Sequence, residues 1–241
     1  MTALFFDIET IPSQAADARE LARQSVRPPG TLKREDSIAA WHAEHGPAAA
    51  EDAYRKMALD PAQGEVCAIG AAVDDGDVIV TVRQFTEGER AFLVRALKAI
   101  EAMLAARRPD PADPAAPWFA DLTPHPVGFN VAKFDFPFLR MRCWANRIAP
   151  PKWLPGPLAR APKDFTDVMM LAAGPTGMIS LDKVCKALRV PSPKQQGDGS
   201  AVFDLWRSGA HEALATYCAG DVEAVRSVWH VMTGAAVEAA A

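Results

Sequence analysis

Cysteine is scarce and scattered in this chain. Cys67, Cys143, Cys185 and Cys218 are too far apart for a recognisable disulfide framework, and no C-x-x-C pair offers the start of a zinc cluster. They are expected to be reduced core residues. Histidine offers no cluster either: His125 and His211 occur in isolation, which favours surface or core roles over catalysis. Long apolar runs are missing as well. No stretch reaches the ~18 uncharged apolar residues of a membrane span, and MTALFFDIET meets Asp7 before a signal-peptide pattern develops. The expectation is a soluble, cytoplasmic protein without a membrane partner.

What is present is ordinary globular material with an uneven charge. The chain has 241 residues, 49% of them hydrophobic, enough for one large domain or two small ones. Its net charge of -4 argues against a polyanion-binding protein until the distribution is read. Residues 136–163 hold Arg140, Arg142, Arg147, Lys152, Arg160 and Lys163 without one Asp or Glu. Such a block attracts phosphates even on an acidic molecule, although a solvated helix face and loop would look the same.

The hydrophobic pattern predicts a β-β-β-α-β-α order closed by helices. LFFDIETIPS supplies the first strand. Residues 14–60 read as two helical pieces broken by Pro28-Pro29-Gly30, an insertion over the sheet. EVCAIGAAV and VIVTVRQF flank the turn Asp74-Asp75-Gly76-Asp77 as a hairpin. A helix should follow, opened by a Thr86/Glu89 capping box, with apolar residues from Phe92 to Leu104 at helical spacing. RRPDPADPAAPWFADLTPHP is too proline-rich for regular structure and leads to a short strand, Val127-Gly128-Phe129. Helices are expected at about 136–146, from Ser180, and from about Ala210; SPKQQGDGS (192–200) reads as a polar loop. This is an α/β protein with a mixed sheet covered on both faces, without internal repeats or a clean domain boundary.

The chemistry begins in the first strand. Side chains alternate along a strand, so Asp7 and Glu9 share one face while Phe6 and Ile8 share the other. Two like charges on a buried face repel; unless one is protonated, a cation between them makes the pair tolerable. Further carboxylates occur at two places. Asp135 follows a predicted strand near a helix start, and Tyr217 and Asp221, four residues apart, share a helix face. Four carboxylates without His or Cys make a hard, oxygen-only donor set suited to Mg²⁺ or Mn²⁺. Each residue also has a plainer reading: Asp135 as a helix N-cap, Asp221 and Glu223 as a solvated face, Tyr217 as a core aromatic. Asp164 and Asp167 look like helix-start residues.

Taken together, these segments resemble the DEDD superfamily of 3′-5′ exonucleases with the ribonuclease-H-like fold. Asp7-x-Glu9 matches the first motif, Asn130-x3-Phe134-Asp135 the second and Tyr217-x3-Asp221 the third. The tyrosine spacing is that of the tyrosine subgroup; the histidine subgroup would have His where Thr216 stands. FFDIETIP, GFNVAKFDFPFLRMR and YCAGDVEAV look most like predicted exonucleases related to the proofreading domain of family-B DNA polymerases. The resemblance spans about residues 3–230, leaving 14–60 and 105–125 unmatched.

The resemblance implies a single exonuclease domain that hydrolyses terminal phosphodiesters at nucleic-acid 3′ ends, releasing nucleoside 5′-monophosphates. Single strands are expected, DNA favoured, and any polymerase or repair partner would be separate. Asp7, Glu9, Asp135 and Asp221 would hold two divalent cations, and Tyr217 would orient the attacking water. Asn130 is expected near the substrate. Arg140, Arg142 and the loop residues Lys152 and Lys163 would track phosphates, Lys194 would close over the substrate, and Phe129, Phe138, Trp144 and Trp153 are candidates for base stacking. The competing reading is a catalytically weak nucleic-acid-binding or assembly module on the same fold.

Overall fold

The computed structural model describes residues 2–107, 123–193 and 199–234. The RRPDPADPAAPWFADLTPHP expectation therefore falls largely outside the described residues, and Lys194 entirely so. Among the described residues five strands form one sheet: β1 (Ala3–Pro12), β2 (Gly64–Val73), β3 (Ile79–Val82), β4 (His125–Gly128) and β5 (Thr166–Asp167). Their order is β3-β2-β1-β4-β5. β1 and β4 are parallel, with Ala3 opposite His125 and Phe5 opposite Val127, as are β4 and β5, whereas β2 and β3 are antiparallel. The mixed sheet expected from the sequence is present.

β1 is central and buried on both faces, and its alternation sorts two cores. Leu4, Phe6 and Ile8 pack with α3 (Glu89–Ala106) and α4 (Asp135–Ala145), through Phe92, Leu93, Leu97, Phe136 and Leu139. Ala3 and Phe5 face the opposite layer, where Val168 of α5 (Val168–Ala173), Val184 of α6 (Leu181–Leu188) and Val222, Val225 and Val228 of α8 (His211–Thr233) meet them. Burying each such side chain stabilises by about 1.5–3 kcal/mol. The register is thereby locked. A one-residue slip would turn Asp7 and Glu9 into the α3/α4 core.

Residues 10–65 form one compact unit, and residues 1–9 and 66–241 form the other. Within the 10–65 unit α1 (Ala18–Ser25) packs on α2 (Glu35–Lys56), separated from it by the Pro28-Pro29-Gly30 break. Arg19 of α1 pairs with Glu51 of α2 and lies 4.1 Å over the Tyr54 ring. The Tyr54 hydroxyl donates to Ser13 O at 3.1 Å.

Local chemistry explains the other boundaries. Ser180 caps α6 by accepting from Lys183 N, as its position predicts. The hairpin turn is tied to the central strand, since Ala3 N donates to Asp74 Oδ1 at 2.8 Å. The Thr86/Glu89 capping box does not form. α3 begins at Glu89 after Gly88, and the Glu89 carboxylate turns inward to accept from Val66 N at 2.8 Å and to bind Arg142 Nη2 at 2.6 Å. Asn146 Nδ2 adds a third contact at 2.6 Å. A buried carboxylate with an arginine partner outcompetes a cap exposed to water. Two elements were not foreseen, the two-residue β5 and α7 (Val202–Arg207), both too short to leave a period.

The Glu89–Arg142 pair has side-chain exposures of only 6% and 13%. Glu89→Ala should therefore cost about 3 kcal/mol by stranding the guanidinium, lowering the midpoint in thermal unfolding by roughly 6–12 °C. A shift below about 2 °C would show that the pair is solvated.

Candidate metal-binding active site

Three elements bring the acidic residues together. β1 presents Asp7 and Glu9 on the face turned toward α8, and α8 carries Tyr217, Cys218 and Asp221, all on one helical face. The third contribution comes from the turn after β4. Gly128 has no room for a side chain, because a Cβ there would overlap Val131 Cγ1 and meet Phe6 O at 2.9 Å. Asn130 then takes a left-handed conformation with φ 60°. Asp167 holds this turn, accepting from Asn130 N at 2.9 Å and Ala132 N at 3.1 Å, while it also caps α5 through Met169 N and Met170 N. The chain then enters α4 at Asp135.

Asp135 is not a helix cap. It is the first residue of α4, 3% exposed, and its Oδ1 accepts from Ile8 N at 3.1 Å, between Asp7 and Glu9 in sequence. Glu9 is 8% exposed, Asp7 and Asp221 are half-buried. Ligand atoms of Asp7, Glu9 and Cys218 lie within 4.8 Å of one another. Tyr217 donates its hydroxyl to Asp221. Of the plainer readings, Glu223 keeps its surface role by pairing with Arg226, and Asp167 is structural as expected.

The electrostatics show what this arrangement costs. Burial, reinforced by the charges of Glu9, Asp135 and Asp221, holds the Asp7 carboxyl well above its ordinary range. Glu9 is likewise raised by burial and by Asp221 and Asp135. Burial lifts Asp135 to about 7 against the lowering effect of the Ile8 N–H, and lifts Asp221 to about 6 against the Tyr217 hydroxyl. Burial pushes the Cys218 thiol well up, and neighbouring Asp7 and Glu9 add to it, so sulfur stays protonated beside the carboxylates. Clustered carboxylates of one sign, with oxygen donors only once that thiol is protonated, fit a hard divalent cation.

Other expected site residues are placed differently. Phe138 is 1% exposed in the α3/α4 core and does not present a stacking face. Trp153 is buried edge-on to Phe6 at 5.3 Å. Arg142 is committed to Glu89, so it is not free to track phosphate. Arg140 is half-buried and donates to Pro155 O. Phe129 is half-buried against the α8-side core. Asn130 Oδ1 is buried without a partner. Trp144, 52% exposed, retains an open ring. Lys152 lines a cavity with Thr123 and Pro124, at the entry of β4 rather than at its exit, where the carboxylates gather. The sequence reading missed Cys218 as part of the cluster. Its i+3 spacing to Asp221 was the available signal.

Residues 117–234 match a family model described as "Predicted 3'-5' exonuclease related to the exonuclease domain of PolB". That segment contains Asp135, Tyr217 and Asp221. The fold is similar to that in a structure of the family B DNA polymerase from the hyperthermophilic archaeon Pyrobaculum calidifontis, with TM-score 0.54 and 16% identity over 95% of this chain. The match covers 24% of the polymerase, so the chain spans about a quarter of its length. Comparison with curated proteins gave no match. The matched segment is thus similar to that exonuclease model, and the likeness to the polymerase structure shows the fold, an α/β domain with a mixed sheet flanked by helices. Among the described residues no helix is long and apolar enough to cross a membrane.

The raised carboxyls give a sign to the pH dependence of stability. A carboxyl that binds its proton more tightly when folded favours the native state at low pH, and that contribution is lost as pH rises through its folded value. Metal-free protein should therefore lose thermal stability as pH rises from about 4, where unfolded carboxyls titrate, through about 6 for Asp221 and about 7 for Asp135, with Asp7 and Glu9 raised in the same direction. His125, lowered by burial, acts in the opposite direction below its ordinary value and so offsets part of this loss. Mn²⁺ should remove the decline, and Asp135→Asn should weaken it. A midpoint that is flat in EDTA across this range would contradict the cluster.

Proposed function

We propose that the protein is a metal-dependent 3′-5′ exonuclease of the tyrosine subgroup. Its substrate is the 3′ end of single-stranded nucleic acid, DNA in preference to RNA, and its products are nucleoside 5′-monophosphates. The observation that supports this most strongly is the meeting of Asp7, Glu9, Asp135 and Asp221 from three distant segments, with Tyr217 bonded to the last of them. Residues 10–65 are read as an insertion in one exonuclease domain, close to the 14–60 expected from sequence. The protein would act in the cytoplasm, alone or beside a separate polymerase or repair partner.

Asp7, Glu9, Asp135 and Asp221 would hold two divalent cations, Mg²⁺ or Mn²⁺. When bound, these supply Lewis-acid stabilisation of the charge that develops on the scissile phosphate. The protein's own groups provide position. The Tyr217 hydroxyl, a hydrogen-bond partner of Asp221, would orient an attacking water. A phenol with an unperturbed pKa near 10 is a poor base at neutral pH, so Tyr217 contributes geometry rather than proton removal. Asp135, anchored by Ile8 N, keeps the β4 turn against β1. The buried side-chain oxygen of Asn130 has no donor among the described residues and is suited to accept from the terminal nucleotide. Trp144 is an exposed ring available for stacking, and Arg147, Lys152, Arg160 and Lys163 are exposed cations of the basic segment, Lys152 lying at the entry of β4 and Arg140 being half-buried.

On a 3′-labelled oligonucleotide with Mn²⁺, Asp7→Ala should abolish release of the terminal nucleotide. Tyr217→Phe should retain a measurable rate, reduced by about 10²-fold, in keeping with loss of one positioning group. EDTA should stop the wild type. Near-wild-type rates in both variants would refute the assigned roles. Oligonucleotide affinity should also fall with salt, with a log-log slope of roughly -2 to -3 for three or four phosphate contacts at about 0.7 each; a flat profile would remove the basic segment from the interface.

A further inference from the structure

Cys218 is a polar side chain at the acidic cluster to which the proposed mechanism gives no task. It is fully buried on α8. Its Sγ lies 3.8 Å from Asp7 Oδ2, within hydrogen-bonding reach for a thiol. The opposite strand is shaped around that sulfur. Gly70 of β2 has no Cβ, and one placed there would meet Cys218 Sγ at 2.8 Å and Val222 Cγ2 at 3.0 Å. Any larger residue at position 70 would have to push the Cys218 sulfur aside and crowd Val222 of α8. A thiol that only filled space would need no acceptor, yet this one reaches the first carboxylate of the site.

We infer that Cys218 is a positioning residue for the acidic site: its S–H donates to Asp7 Oδ2 and fixes the carboxylate's orientation, and Gly70 provides the room. The inference rests on reading the cluster as a divalent-cation site. An ionised carboxylate only accepts, so an oriented donor behind one oxygen selects one rotamer and leaves the other oxygen for a cation. Partners of this kind are typically worth 10–100-fold in metal affinity, and a weak S–H donor belongs at the lower end. Serine keeps a donor at the position, whereas alanine removes it with little change in shape.

The test is Mn²⁺ binding by the full chain, followed through the free-ion electron paramagnetic resonance signal, for wild type, Cys218→Ser and Cys218→Ala, alongside their thermal midpoints. The expected result is affinity about tenfold weaker for Cys218→Ala, with Cys218→Ser near wild type and no matching order in the midpoints. Equal affinity of all three proteins overturns the inference, as does a loss shared by both variants. Co²⁺ provides a separate check. A thiolate-to-metal charge-transfer band that vanishes in Cys218→Ala would make the sulfur a ligand and also overturn it; absence of that band is expected. Hydrolysis of the 3′-labelled oligonucleotide separates the two claims. If the wild type binds Mn²⁺ with the expected order of variants but cleaves nothing, the nuclease reading fails and the positioning role stands. Cleavage without that order gives the reverse.

Discussion

Repulsion among buried carboxylates governs this molecule. Asp7 and Glu9 occupy the central strand, and Asp135 and Asp221 are brought against them, so the folded chain concentrates negative charge where the dielectric is lowest. Hydrophobic burial provides the compensating stability. Phe5, Phe6, Leu4 and Ile11 on β1 are almost wholly removed from water, and their two faces lock the register that places the carboxylates. The site is thus an imposed strain, held by the cores on either side and relieved by protons or by a cation.

The surrounding contacts serve that placement. Gly128 lets Val131 close over the end of β4, and Asp167 holds the turn that follows through two backbone amides. Gly70 does similar service on the other side, letting α8 approach β2 closely enough for Cys218 to reach Asp7. At the far end of α4, Glu89 gathers Val66, Arg142 and Asn146 into one buried knot joining β2, α3 and the helix that begins with Asp135. Rigid support of this kind is what a site needs when its ligands come from distant segments.

Much of this was legible in the sequence because it follows from periodicity. The alternation in LFFDIETIPS put Asp7 and Glu9 on one face, and the spacing in YCAGDVEAV put Tyr217 and Asp221 on one helical face; the structure has both relations. Long-range partners were not legible. Arg142 and Phe138 looked like substrate contacts because they follow Asp135 in a basic, aromatic run, but Glu89, fifty-three residues earlier, claims the arginine, and the α3/α4 core claims the ring. Glu89 had itself read as a local cap. β5 was hidden because two residues carry no period, although it supplies Asp167. The match of residues 117–234 to the exonuclease model covers the second and third motifs, so the first rests on geometry.

Anomalous diffraction from crystals soaked in Mn²⁺ tests the central claim most directly. The account predicts peaks ligated by the carboxylates of Asp7, Glu9 and Asp221, with Asp135 facing the same ions and Cys218 sulfur outside the coordination shell. Saturating Mn²⁺ with no peak among these four acids, or carboxylates found turned away from one another, would contradict it.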